Sequence, residues 1–182
     1  MSFLKSLPAE TGLLEIFQAF PSAARPLLEY LEVVLRGESP FSAAERELLA
    51  GYVSSLNKCD YCEASHSQTA VALGIKAETI ADIFSGSGRK HVDVRMRPVL
   101  AFAHKLTLSP NKITAADVDP IFAAGWNDRA LHDAAAVCGL FNLINRLACG
   151  LGLEASEEAA RLTAQRLAQG GYAQLLNALP PA

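Results

Sequence analysis

The apolar residues of this chain recur at intervals of three and four, and this periodicity restricts the fold more than any other feature. The run Leu27, Leu28, Leu31, Val34 and Leu35 is one example. Such spacing places side chains on one face of an α-helix. No run of alternating β-branched residues with a hairpin turn interrupts the pattern. The sequence therefore predicts an all-α protein.

Capping signals divide the periodic pattern into separate helices. Ser42 and Glu45 form a Ser-x-x-Glu capping box that opens a helix. A break is predicted at residues 57–58, because Asn57 tolerates the left-handed conformation that ends helices. The next helix is expected over residues 59–73 and ends at Gly74.

Further helical segments follow without an evident linker, so residues 1–182 are predicted to form a single domain. The remaining predicted helices cover residues 76–84, 93–106, 114–125, 128–149 and 156–168, and residues 85–88 are predicted to be the loop that ends the first of these. A weak internal similarity at a shift of 85 residues relates segment 42–74 to the segment that starts at Asn127. It suggests a duplicated helical unit.

The composition is typical of a globular protein with a sizeable core. Apolar residues make up 51% of the chain and charged residues 19%, and the net charge is -3. Without a strongly basic surface, a nucleic-acid partner is not expected. Residues 1–12 lack the features of a secretory signal, and no apolar run reaches the roughly 18 residues of a membrane span. We expect a cytoplasmic protein without a membrane partner.

The segment 59–66 carries the clearest chemistry. Cys59, Cys62 and His66 are three and four residues apart, so one face of a helix holds all three side chains. Two neighbouring cysteines can form a reversible disulfide, and an imidazole nearby lowers the pKa of a thiol. In a reducing compartment, this pattern is more typical of catalysis, redox sensing or metal binding than of a structural disulfide. The other cysteines, Cys138 and Cys149, are predicted to be small hydrophobic residues of an apolar helix.

Glu47 is a candidate partner for His66 from the preceding helix. Gly51, one turn further along, would permit close approach of another element. A carboxylate beside His66 would orient the ring and raise its basicity, so that it could take a proton from a thiol. The alternative is that Glu47 is a solvated surface charge alongside Glu45 and Arg46.

Glu47, Cys59-x-x-Cys62 and His66 at this spacing resemble the signature of alkylhydroperoxidase D (AhpD)-like proteins, which belong to the carboxymuconolactone decarboxylase superfamily. The similarity covers about residues 39–153. Within it, segments 102–107, 114–118 and 141–148 are similar to the peroxidase-related subgroup.

The resemblance implies an all-helical fold, assembled as trimers or hexamers, that reduces peroxides. By this resemblance Cys62 is the peroxidatic cysteine, Cys59 supplies a proton and then forms the disulfide, and Glu47 with His66 relays protons. It also implies an external dithiol reductant similar to dihydrolipoamide, with no bound cofactor. One residue departs from the pattern: Tyr61 stands where the best-known members have a histidine, and tyrosine shuttles protons less readily near neutral pH.

Other functions are compatible with the same residues. The chain could be a thiol–disulfide exchange protein or redox sensor without peroxidase turnover. Zinc accepts two thiolates, an imidazole and a carboxylate, so Cys59, Cys62, His66 and Glu47 could form a metal site. A lactone decarboxylase is a further alternative, although that branch characteristically lacks the cysteine pair.

Residues outside this segment are assigned structural roles. His91 and His104 lack spaced partners and are predicted to be solvent-facing or hydrogen-bonded within the fold. His132 is a candidate for lining a groove only through its place in the internal similarity. Buried amides on an apolar helix need partners, so a helix or subunit contact is predicted at Asn145 and Arg146. Because no glycine-rich motif follows a strand, a bound nicotinamide or flavin is not expected.

Overall fold

The computed structural model describes residues 2–85 and 90–180, which contain ten α-helices and no β-strand. The helices are α1 (Leu13–Ala19), α2 (Pro21–Arg36), α3 (Ala43–Leu56), α4 (Asp60–Ala72), α5 (Ala77–Ser85), α6 (Met96–Leu108), α7 (Ala115–Ala123), α8 (Asp128–Gly150), α9 (Glu157–Gly170) and α10 (Ala173–Asn177). A 3₁₀ turn, Pro110–Lys112, connects α6 to α7. The predicted all-α fold is confirmed. None of the helices in the described ranges has the length and apolarity to cross a membrane.

Helix α3 lies at the centre of the fold. Every residue from Arg46 to Ser54 is buried, because α2, α4, α6 and α8 all pack around this helix. Helix α4 folds back along α3, and this is the most closely packed pair in the described chain. Helix α9 then covers α4. Side chains at the interface between α3 and α4 are therefore shielded from water.

Three buried hydroxyl side chains on these two helices form hydrogen bonds within their own helix. Ser54 donates a hydrogen bond of 2.8 Å to the carbonyl of Ala50, and Thr69 donates one of 2.7 Å to the carbonyl of Ser65. Ser65 itself donates to the carbonyl of Tyr61 at 3.0 Å. Each bond returns to the preceding turn of the same helix, which satisfies the hydroxyl inside the core.

The predicted capping box at the start of α3 is observed. The Ser42 hydroxyl accepts from the Glu45 amide at 3.2 Å, and the Glu45 carboxylate accepts from the Ser42 amide at 2.8 Å. The break after α3 is also present, but the residue that adopts the left-handed conformation is Lys58, with φ of 55°, rather than Asn57. Asn57 is still helical and uses its amide side chain elsewhere.

Several boundaries differ from those predicted, and two helices were not predicted. Helix α2 begins at Pro21 because proline is favoured in the first helical turn, and it continues through Pro26. The short helices α1 and α10 have too few turns for a clear apolar period. The loop predicted at residues 85–88 lies largely outside the described residues.

The segments related by the 85-residue shift have different structures. Segment 42–74 contains two helices with a break between them, whereas Asp128–Gly150 is a single uninterrupted helix. The suggested duplication therefore does not correspond to a repeated helix pair.

The predicted helix contact at Asn145 is confirmed. Its buried amide accepts from Asn57 Nδ2 at 2.9 Å and donates to Ser54 Oγ at 2.9 Å. Arg146, predicted to share this contact, instead donates to Asn142 of its own helix. These amide bonds fix α8 against the junction of α3 and α4.

The close approach of α3 and α4 depends on Gly51. A Cβ atom at this position would lie 3.0 Å from Ser67 Oγ and 3.3 Å from the Ser67 backbone nitrogen. Gly51→Val should therefore lower the free energy of unfolding by about 1–3 kcal/mol through overpacking, measured by urea denaturation. Gly139→Ala is the matched control, since a Cβ there meets no atom within 4 Å and should stabilise α8 by about 0.5–1 kcal/mol. Shifts of the same sign in both variants would contradict this interpretation.

Candidate active site

Two free thiols lie at the first turn of α4. Cys59 is the residue immediately before the helix, and Cys62 is its third residue. Both are unpaired and only 1% exposed. The first amides of a helix carry partial positive charge, which stabilises a thiolate at this end. The pair is thus placed for thiol chemistry away from bulk water.

Glu47 reaches His66 across the interface between α3 and α4. The carboxylate Oε2 lies 2.6 Å from the imidazole Nδ1, and the glutamate is fully buried. The absence of a side chain at Gly51 brings the two helices close enough for this contact. The alternative that Glu47 is a solvated surface charge is therefore wrong. His66 lies one helical turn after Cys62, so the two side chains are neighbours on α4.

Two further groups, which the sequence did not indicate, complete the surroundings of Glu47. Its Oε1 accepts a hydrogen bond of 2.6 Å from Arg36 Nη2 and one of 3.0 Å from the Tyr172 hydroxyl. Tyr172 also lies 3.5 Å from His66 Nδ1. Arg36 is held in place by a bond to the carbonyl of Leu167 at 3.1 Å, and its guanidinium stacks 5.2 Å from the Tyr172 ring centroid.

No local sequence signal pointed to these two residues. Arg36 ends α2, where a basic residue is explained by the helix dipole alone. Tyr172 follows two glycines near the C-terminal end and lies 125 positions from Glu47. Both residues reach the site through tertiary packing of α2, α9 and α10.

The donors around Glu47 determine its ionisation. Burial on its own raises the pKa of this carboxyl, but attraction to His66 and then to Arg36 outweighs burial and holds the pKa below its usual range. An ionised carboxylate only accepts hydrogen bonds, so His66 Nδ1 carries a proton. In the neutral ring, Nε2 is then the free base.

The neighbouring phenol keeps its proton. Burial, followed by the negative charge of Glu47, raises the pKa of Tyr172 well above its ordinary value. The Tyr172 hydroxyl is consequently a hydrogen-bond donor to Glu47 throughout the physiological pH range.

The two thiols are not equivalent. A hydrogen bond with Cys62, reinforced by burial, raises the pKa of Cys59 far above its ordinary value. Cys59 therefore retains its proton near neutral pH. Cys62, in contrast, lines a cavity together with His66.

This cavity has a volume of about 90 Å³ and a mostly apolar wall. It admits several water-sized groups, since one water needs roughly 10–15 Å³ on the same measure. The polar groups at the cavity include Tyr172 and Arg166. Its apolar lining comes from several helices and includes Leu13, Phe17, Leu28, Leu31, Ile144 and Leu167. A small apolar molecule in this cavity would contact Cys62 rather than Cys59.

Tyr61 forms part of the same wall. Its hydroxyl accepts a hydrogen bond of 3.0 Å from the Leu13 amide, and burial raises its pKa. The tyrosine thereby attaches α1 to α4 beside the cavity. Tyr61 lies between the two cysteines in the sequence, and its side chain forms part of the cavity wall.

The remaining predicted residues lie apart from this site. His91 pairs with Asp82, His132 pairs with Asp133, and His104 is exposed. Cys138 is buried as predicted and lies 3.2 Å from the Thr107 hydroxyl. The prediction for Cys149 is wrong, because this residue is exposed in the last turn of α8.

The geometry does not support the alternative of a metal site at Cys59, Cys62, His66 and Glu47. Among residues 2–85 and 90–180, no group of three or more His, Cys, Asp or Glu side chains is arranged to hold a metal ion. Both oxygens of Glu47 are already engaged by Arg36, Tyr172 and His66.

Comparisons with known proteins agree with this fold. The carboxymuconolactone decarboxylase family model matches residues 21–88, which include Glu47, both thiols and His66. No curated protein matches the chain significantly.

Two crystal structures are similar over most of the chain. A peroxidase-related protein from Silicibacter sp. TM1040 is 28% identical with a TM-score of 0.73, over 86% of this chain and 93% of that one. A peroxidase-related protein from Ralstonia eutropha JMP134, described as an AhpD core, is 23% identical with a TM-score of 0.75, over 82% of this chain and 78% of that one.

The described residues form an all-helical fold of the AhpD type. Residues 21–88 resemble the carboxymuconolactone decarboxylase family, and the two crystal structures to which the chain is similar are those of peroxidase-related proteins.

The buried carboxylate should make stability depend on pH. The folded-state pKa of Glu47 is below the unfolded value of about 4.3. The ionised carboxylate therefore makes its full contribution to the free energy of unfolding above about pH 4.3. This contribution is lost as the pH falls through the folded-state pKa. Glu47→Gln should lower the free energy of unfolding by about 3 kcal/mol at pH 7, because Arg36 loses its buried partner.

The difference between wild type and Glu47→Gln should shrink as the pH falls from 5 to 3, measured by urea unfolding at each pH. Glu29→Gln, at an exposed position of α2, is the control and should change stability by less than about 0.5 kcal/mol. A difference that stays constant down to pH 3 would mean that Glu47 is not ionised in the folded protein.

Proposed function

We propose that this protein is a thiol peroxidase that reduces organic hydroperoxides and is returned to its reduced form by an external dithiol. The observation that carries this proposal is the buried set of Cys62, His66 and Glu47 at an apolar cavity. A nucleophilic sulfur, a base and a group that orients the base are there combined in one site.

In the oxidising step, His66 takes the proton of Cys62 through its free ring nitrogen. The Cys62 thiolate attacks the terminal oxygen of the hydroperoxide, forming an S–O bond while the O–O bond breaks. The proton held on His66 passes to the departing alkoxide, which leaves as an alcohol. Cys62 has then been oxidised to the sulfenic acid by two electrons.

In the resolving step, Cys59 condenses with the sulfenic acid. Its sulfur forms the disulfide with Cys62, and the sulfenic hydroxyl leaves as water with the Cys59 proton. The raised pKa of Cys59 suits this order, because the thiol keeps its proton until the sulfenic acid has formed. Rapid closure protects Cys62 from further oxidation.

Arg36 and Tyr172 are positioning residues in this scheme. Both donate to the Glu47 oxygen that does not face His66. They stabilise the ionised carboxylate, which in turn favours the ring tautomer with a free Nε2. The base is thus prepared before a peroxide enters.

A chain that only exchanges disulfides would use the same cysteines, and this is the second candidate function. The cavity favours the peroxidase, because disulfide exchange with a protein partner does not require an enclosed apolar pocket beside Cys62. The two functions differ in whether peroxide is consumed catalytically.

The family resemblance also suggests where the protein acts, what reduces it and how its chains assemble. We propose an antioxidant role in the cytoplasm, a dithiol similar to dihydrolipoamide or a redox protein as electron donor, no bound cofactor, and assembly of identical chains into trimers or hexamers.

Peroxide turnover should depend on the two buried cysteines unequally. With tert-butyl hydroperoxide and dihydrolipoamide, Cys62→Ser should lose at least 99% of the wild-type rate, because no sulfenic acid can form. Cys59→Ser should lose most of it through over-oxidation of Cys62. Cys138→Ser, a buried cysteine away from the site, should keep the wild-type rate. If Cys62→Ser consumed peroxide at the wild-type rate, the proposed peroxidase function would be wrong.

The apolar cavity should select organic substrates. Burial of each CH₂ group contributes about 0.8 kcal/mol, so kcat/KM for tert-butyl hydroperoxide should exceed that for hydrogen peroxide by at least about tenfold. Initial rates at matched concentrations, with the Cys62→Ser rate subtracted, give the ratio. A ratio at or below one would show that the cavity does not bind the substrate's alkyl group.

A further inference from the structure

Most of the polar side chains at the cavity are already hydrogen-bonded within the protein. Tyr172 and His66 are engaged with Glu47. Ser65 donates to the carbonyl of Tyr61, and the Tyr61 hydroxyl accepts from the first amide of α1. The proposed reaction uses the remaining ring nitrogen of His66. These groups are therefore not available to recognise a polar part of the substrate.

Two side chains of α9 at the cavity are not engaged in this way. Thr163 and Arg166 both line it, and neither the Thr163 hydroxyl nor the Arg166 guanidinium has a hydrogen-bond or ion-pair partner among the residues that the structure describes. They lie three residues apart, on the helix face that also carries Leu167. Leu167 is buried and lines the cavity, whereas Arg166 is exposed. The guanidinium therefore lies where the cavity meets solvent.

The cavity carries one permanent charge in its lining. Among the described residues that form its wall, Arg166 is the only lysine or arginine, and none is an aspartate or glutamate. Both oxygens of Glu47, on the far side of His66, are already occupied by donors. No carboxylate of the wall therefore neutralises Arg166. An apolar interior with a single unpaired cation at its opening is complementary to an amphipathic anion.

We propose that Arg166 is a specificity-determining residue, which binds the carboxylate of an organic hydroperoxide whose alkyl chain occupies the apolar cavity. This inference rests on the proposed function for the reaction at Cys62, and it narrows the substrate class to hydroperoxides of carboxylic acids. A guanidinium binds a carboxylate through two parallel hydrogen bonds. The Thr163 hydroxyl, one turn earlier on α9, can donate to the same anion.

This placement divides the substrate according to polarity. The alkyl chain contacts the apolar wall, which includes Leu13, Phe17 and Leu167. The carboxylate stays at the opening beside the exposed Arg166, where it keeps part of its hydration and avoids the cost of burying a charge. An anion fixed at the opening directs the rest of the molecule inwards, towards Cys62.

The reaction at Cys62 is the oxidising step already described, and its products follow from the substrate class. The terminal peroxide oxygen forms the S–O bond with Cys62 while the O–O bond breaks, and the proton on His66 passes to the departing alkoxide. The organic product is therefore a hydroxy acid. Cys62 supplies the two electrons, and the external dithiol of the proposed function restores them. Arg166 takes no part in proton or electron transfer.

Binding of the anion can be tested without any peroxide. Hexanoate and hexanol are titrated separately into the reduced protein, and their Kd values are measured by nuclear magnetic resonance on the amides of residues 62–66. Wild type should bind hexanoate about fivefold or more tighter than hexanol, and Arg166→Gln should lose this preference. Arg161→Gln is the matched control, because Arg161 is exposed on the same helix and does not line the cavity. A preference that is absent from wild type, or that survives in Arg166→Gln, would overturn the proposal.

The effect on specificity is tested with ω-hydroperoxyhexanoate and its methyl ester. Arg166→Gln should lower kcat/KM for the acid by about tenfold or more and that for the ester by less than about twofold. Arg166→Lys should recover part of the loss, because it restores the positive charge without the bidentate geometry. Arg161→Gln should leave both values unchanged. Equal losses for the acid and the ester in Arg166→Gln would show that Arg166 only supports the cavity wall.

The two experiments separate failure of this inference from failure of the proposed function. If wild type consumes neither hydroperoxide, the peroxidase function is wrong. The hexanoate titration then decides by itself whether Arg166 selects an anion, because it requires neither a peroxide nor turnover.

Discussion

The whole site depends on one buried negative charge being fully compensated. Glu47 lies on the most enclosed helix of the fold, where an unpaired carboxylate would be strongly destabilising. Arg36, Tyr172 and His66 each provide a donor, and they come from three different parts of the chain. Because this charge must be neutralised, α2, α4 and the C-terminal segment pack around Glu47. Their packing therefore affects which nitrogen of the His66 ring carries a proton.

This coupling explains why the functional groups sit inside the fold and not on a loop. The thiols begin a buried helix, and the base lies one turn further along it. Hydroxyls bonded within their own helices allow such polar segments to remain buried. Rigid helices hold the His66 ring and the Glu47 carboxylate 2.6 Å apart. In the proposed peroxidase, preorganised geometry of this kind would contribute to catalysis without rearrangement of the protein during the reaction.

The sequence was sufficient for the short-range features that build the site. The capping box at Ser42, the helix break before Cys59 and the shared face of Cys62 and His66 follow from local periodicity and are observed. Arg36 and Tyr172 could not be predicted, because their role depends on which helices meet around Glu47. The exposure of Cys149 was missed for the same reason, since an apolar helix pattern does not show where the helix leaves the core.

Completion of the acid–base couple by Tyr172 has a consequence for the nascent protein. The hydroxyl that contacts Glu47 belongs to a residue 125 positions later in the chain. During synthesis on the ribosome, both cysteines, the histidine and the glutamate emerge long before this tyrosine does. The thiols and the Glu47–His66 pair are thus made well before Tyr172, so a polypeptide that ends before Tyr172 lacks one of the hydrogen-bond donors to Glu47.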